Sequence, residues 1–143
     1  MKIVSPIILF IFFSISVNSQ EVLGVWKTKD RKTGEERALV EIYLEQNKIH
    51  AKIIKALNHS IKDFNCLKCK GKNKGKPLVG MIILKDLKRS QSEYIYKNGL
   101  ALNPINGKFY SCDLKLINSK ILRVRGYLGI SLFGKSEYWQ RVE

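Results

Sequence analysis

Cys66 and Cys69 stand at C-x-x-C spacing in a lysine-crowded stretch, and Cys112 is the third and last cysteine. Two thiols so placed can do three kinds of chemistry. They can act as a redox pair if a helix N-terminus or nearby cations lower one thiol pKa. They can supply two thiolates of a zinc site, with Cys112 and either His59 or His50 completing four ligands. They can also be oxidised to a structural disulfide, Cys66–Cys69 or a bridge from one of them to Cys112. Cations are present, because Lys68, Lys70, Lys72, Lys74 and Lys76 alternate through the segment. The strand–helix–strand setting of a thioredoxin-like pair is not. No second C-x-x-C and no H-x-x-x-H accompanies the first motif, so the metal signal is unspecific. The structural disulfide is therefore the expected state. A bridge to Cys112 would close a long loop and stabilise by about 2–4 kcal/mol.

Other catalytic groupings are not found in the sequence. There is no serine in a G-x-S-x-G elbow, and the twelve carboxylates carry no paired motif. Gly71-Lys72-Asn73-Lys74-Gly75-Lys76 is glycine-rich but lacks the strand–loop–helix frame that lets such a loop cradle phosphate. The expectation is a protein that is not an enzyme and takes no cofactor and no metal.

Charge and the first residues narrow the class of partner. Met1 and Lys2 precede an almost unbroken apolar run, Ile7 to Val17, and Val17-Asn18-Ser19 suits a signal peptidase. Residues 1–19 read as a signal peptide and 20–143 as a single domain, exported to the periplasm or secreted; an uncleaved anchor is the rival. No cysteine near the cut suggests a lipid anchor. Removing 1–19 takes one lysine and no acid from a formal charge of +14, leaving +13. Such a field favours anionic partners: acidic membrane surfaces, polyanionic glycans or nucleic acid. Nucleic acid is not expected, because the basic residues are spread along an exported chain. The alternating lysines either grip lipid head groups or keep a loop solvated.

The elements that must position these residues follow a period of two. In Arg37 to Leu44, Ala38, Val40, Ile42 and Leu44 share one face. Ile49, Ala51 and Ile53 do so next. Tyr110, Cys112, Leu114 and Leu116 form a third such face, and Leu122, Val124, Gly126 and Leu128 a fourth. Val79 to Leu84 is apolar on both faces and reads as a strand covered on both sides. Turn chemistry separates the runs at Asp30 to Gly34, Gln46-Asn47, Asn98-Gly99, Asn106-Gly107 and Asn118-Ser119. Asn58 to Pro77 breaks the rhythm and reads as a long, tied-down loop. The pattern predicts an all-β antiparallel meander, closed into a barrel or folded as a sandwich.

Several ordered stretches then carry a resemblance: Gly24-Val25-Trp26, Cys66-Leu67-Lys68-Cys69-Lys70-Gly71, Lys76-Pro77-Leu78-Val79-Gly80, Leu102-Asn103-Pro104-Ile105-Asn106-Gly107-Lys108, Val124-Arg125-Gly126-Tyr127-Leu128-Gly129 and Trp139-Gln140-Arg141-Val142. Together they resemble the exported bacterial family known as domain of unknown function 2147, over essentially all of 20–143. Asn103 departs from it, since the family usually has Asp before the proline. The resemblance implies an up-and-down, lipocalin-like β-barrel of about eight strands and no established reaction. It implies that Trp26 on the first strand packs beside Arg141 on the last, a structural pair closing one barrel end. An eight-stranded barrel with an apolar inner face either holds one small hydrophobic or amphipathic ligand, with Trp26, Tyr127 and Trp139 the candidates for lining it, or is simply filled by such side chains. In the second case the alternative is a cell-envelope interaction module whose basic face binds anionic surfaces or a protein partner, with no cavity ligand.

Overall fold

The computed structural model describes residues 21–92, 94–128 and 134–142; the expected leader, 1–19, and Gly129 lie outside them. Its strands are β1 (Gly24–Lys29), β2 (Glu36–Glu45), β3 (Lys48–Ala56), β4 (Ile82–Arg89), β5 (Ile95–Asn103), β6 (Lys108–Asn118), β7 (Ile121–Tyr127) and β8 (Lys135–Arg141). Each pairs antiparallel with its neighbour in sequence, and β1 closes onto β8 through Trp26 opposite Arg141 and Lys27 opposite Gln140. The closed up-and-down barrel is thus the fold, and the sandwich is excluded.

The two-residue rhythm does what pleated geometry requires. Ala38, Val40 and Ile42 of β2 point inward, as do Ile49, Ala51 and Ile53 of β3 and Cys112, Leu114 and Leu116 of β6. Between them the polar faces meet water. Turn residues act locally. Gln46 and Asn47 both take positive φ, 49° and 63°, which matches the twist of the β2–β3 hairpin. The Asp30 carboxylate accepts the N–H groups of Lys32 and Thr33 at 2.8 and 2.9 Å, bending the β1–β2 loop.

Two expectations fail where a strand is irregular. Asn98-Gly99 is not a turn; it lies inside β5, where the register against β6 slips between Tyr96 and Gly99. Asn98 takes φ +62°, so the residue type was suited to the backbone, but the backbone is a bulge and not a reversal. Gly99 is required there because a Cβ would lie 2.3 Å from Leu87 Cγ. Nor is Val79 to Leu84 a strand covered on both sides. Val79 and Gly80 form a turn, and β4 starts only at Ile82. Leu78 and Met81 are buried, but Val79 and Ile82 are exposed. The strand continues through charged residues to Arg89, disguised by Asp86 at φ +62°.

The β3–β4 connection carries the one-turn helix α1 (His59–Lys62) and a 3-10 turn at Gly71–Asn73. Asn58 caps α1 by accepting the Ile61 N–H at 3.1 Å. This connection folds across one barrel end, where Ile61 and Leu78 are buried against the core.

Candidate functional site

The barrel is filled at one end and hollow at the other. Around the filled end, Trp26, Ile42, Leu87, Leu114 and Leu122 are fully buried. Toward the opposite end a cavity of about 580 Å³ is walled by Ala38, Val40, Ile53, Leu84, Leu102, Val124 and Trp139. Ile61 and Leu78 roof it from the β3–β4 connection, and Pro104 borders it from the β5–β6 turn. Small side chains make the space: Ala38 and Ala101 stand on its wall, and Gly126 presents none at all. A Cβ built on Gly126 meets only the Ser111 carbonyl oxygen, at 3.9 Å.

Charge at this cavity is concentrated in a few side chains. Arg31, Arg37 and Lys135 border it, with Glu137 as the acid among its lining residues. Glu137 faces inward with Trp139, whose indole N–H donates to its Oε2 at 3.3 Å. Arg123 and Arg125 alternate with the inward Leu122 and Val124 along β7, and Asp113 stands opposite Arg125 across the β6–β7 ladder. Tyr127 touches the rim, close enough to Asp113 to feel its charge. Burial first, and then the Asp113 charge, push its phenol above the ordinary range.

The three candidate ligand-lining aromatics therefore separate. Trp139 and Tyr127 border the cavity, whereas Trp26 lies outside its lining. Trp26 instead belongs to the closed end. Its indole N–H donates to the Val22 carbonyl at 2.8 Å, and the Arg141 guanidinium sits 4.3 Å above its ring centroid. Arg141 also donates to the carbonyls of Glu21, Leu23 and Ser119, at 2.6, 2.8 and 2.7 Å. One planar cation thus ties the entering chain, the β6–β7 turn and the final strand together.

Cys66 and Cys69 are joined in a disulfide, and Cys112 is a buried free thiol. With both sulfurs bonded to each other, the zinc arrangement has no thiolate pair to begin from. His59 lies exposed beside Asp63 at 3.9 Å, and His50 stacks on Tyr43. The disulfide pins a loop that is also held by Cys66 N–H to Lys76 O and Gly75 N–H to Cys66 O, both 2.8 Å. That loop seats on the β5–β6 turn. Cys66 Sγ lies 3.4 Å from Pro104 O, and a Cβ on Gly107 would fall 2.0 Å from Lys68 O. Asn103, where the family pattern has Asp, accepts the Ile105 N–H at 2.9 Å through its side-chain oxygen. A carboxylate oxygen could take the same bond, so the turn tolerates either residue. Cys112 lies between Gly99 and Gly126 in the sheet, and burial pushes its thiol up to about 12.

Comparison with known proteins places this geometry. A family described as an uncharacterized protein conserved in bacteria, DUF2147, matches residues 24–141. No curated protein matches the chain. Among solved structures, a protein of the human pathogen Helicobacter pylori described as belonging to the lipocalin family is similar, with 22% identity and a TM-score of 0.74. The match covers 86% of this chain and 84% of that one, and at such identity it establishes the shared fold.

Proposed function

This chain belongs to DUF2147, a family conserved in bacteria, and on that premise we propose that it is an exported binding protein for one small amphipathic ligand. The observation that carries the reading is the half-hollow barrel. Its cavity of about 580 Å³ sits within the roughly 300–1,000 Å³ typical of small-molecule sites. The wall is apolar, from Val40, Ile53, Leu84, Leu102, Val124 and Trp139, and would take an acyl or ring system out of water. Arg31, Arg37 and Lys135 stand where a head group would remain, so the polar part is best matched by an anion such as a carboxylate. The apolar run before residue 20 supports export, which would put the protein where envelope lipids and their breakdown products are found.

Displacement of a fluorescent fatty acid, with native mass spectrometry for stoichiometry, tests this directly. One long-chain acid per chain is expected, bound more tightly than the alcohol of equal length. Gly126→Leu places a side chain in the cavity at a position with free space, so it should abolish binding while the protein stays folded. Binding that survives Gly126→Leu, or no binding by any amphiphile of the panel, would refute the cavity reading.

A further inference from the structure

We propose that the capped end of the barrel docks on an anionic phospholipid bilayer, with the lysines of the disulfide loop at the head groups and Leu67 and Ile105 entering the interface. The proposal does not depend on what the cavity holds. Lys68, Lys70, Lys72, Lys74 and Lys76 are all exposed, and none of them is in an ion pair among the described residues. The β3–β4 connection that carries them contributes one acid, Asp63, and a further lysine, Lys62. An excess of exposed cations by itself would suit any solvated loop.

Two apolar side chains change that. Leu67 and Ile105 are 73% and 71% exposed, more than any other large hydrophobic residue among those described. They come from different segments that meet at one seam, where Cys66 contacts Pro104 and Lys68 contacts Gly107. Both are held outward by rigid backbone. Leu67 is bracketed by the disulfide, and Ile105 lies in the turn fixed by Asn103. A loop meant only to stay soluble gains nothing from presenting such side chains rigidly. A membrane-seeking surface gains from it, because little conformational freedom is left to lose on docking. Greasy tips framed by lysines match a negatively charged lipid surface, where the cations meet phosphate and the apolar groups reach below it. Leu128, 66% exposed and also bordering the cavity, lies at the same end of the barrel. Ile61, Leu78 and Pro104 border the cavity from this cap, so docking would turn the cavity mouth toward the lipid.

Co-sedimentation of the chain lacking residues 1–19 with phosphatidylcholine vesicles, with and without phosphatidylglycerol, tests the proposal. Binding is expected only with the anionic lipid and should fade as salt shortens the Debye length toward about 3 Å at 1 M. Changing Lys68, Lys70 and Lys72 to Gln should weaken partitioning on the order of fivefold per residue. Leu67→Ser with Ile105→Ser should weaken it roughly tenfold or more while leaving the salt slope unchanged. These positions are exposed, and unchanged thermal melting of the variants verifies that the barrel is intact. Leu67→Trp should show a blue-shifted emission on the anionic vesicles. Equal binding to neutral vesicles, insensitivity to all these changes, or binding to a soluble polyanion such as heparin but not to vesicles would overturn it.

Discussion

Arg141 shows how one side chain can do several jobs that its nearest substitute cannot. It covers the Trp26 ring and donates to three backbone carbonyls from separate segments. Arg141→Lys keeps the charge but loses the planar fork, and should lower unfolding free energy by about 2 kcal/mol in denaturant titration. Cys112 makes a second residue-scale case. Its thiol pKa rises from 9.0 to about 12, first through burial and then through the charges of Asp113 and Glu137. Above pH 9 the unfolded chain releases this proton while the folded chain keeps it. Stability linked to Cys112 is therefore intact below pH 9 and is lost progressively toward pH 12. Cys112→Ala should show a shallower fall of melting temperature over that window than the parent protein. In the native parent, a thiol reagent at neutral pH should react only as fast as the barrel opens.

At the scale of elements, the cap depends on a contact the strands do not share. Gly107 sits at φ +72° with the Lys68 carbonyl where its Cβ would be. Gly107→Ala adds strain of about 1–2 kcal/mol from the left-handed backbone alone, and more from the clash. The expected result is a disulfide loop lifted from the β5–β6 turn. Hydrogen exchange would speed up at Cys66, Gly75 and Lys76 while the strands keep their protection. The disulfide itself joins residues three apart, so it orders the cap and not the barrel. A bridge to Cys112, the longer alternative, would have crossed from the cap to a thiol facing the barrel interior between Gly99 and Gly126. Among the elements, β2, β3, β6 and β7 were readable because alternation holds along most of each, although Leu44, expected on the inner face of β2, is exposed at its end. β4 and β5 were not, because Asp86 and Asn98 each insert a positive-φ residue that shifts the rhythm by one.

The whole molecule is a barrel with a solid floor and a hollow upper half. Trp26, Leu87, Leu114 and Leu122 fill the first, and Ala38, Ala101 and Gly126 leave the second open. The void is a stability deficit as well as a site, since wall atoms facing empty space lack contact partners. Gly126→Leu should therefore leave folding stability unchanged or raise it by about 1 kcal/mol as it removes ligand binding. A raised melting temperature with lost binding would place the trade between stability and function in that cavity. Of the candidate site, Trp139 and Tyr127 were named in advance, whereas Arg31, Arg37, Lys135, Glu137 and Gly126 were not. Their residue types carry no motif, and they converge only because barrel closure brings the β1–β2 and β7–β8 connections and the strand ends beside them together.

The family resemblance supplied the closed barrel and the Trp26–Arg141 pair at one end, while alternation and turn residues by themselves were enough to determine an all-β antiparallel meander. Those are local properties: the pleat sets the period of two, and each turn needs its own residue type within a few positions. Whether the interior is full or hollow, which cysteines pair, and which charges meet at the mouth were decided by tertiary structure. Each of these depends on distances between residues far apart in the chain, and on summed side-chain volume around a closed ring, which no linear pattern records.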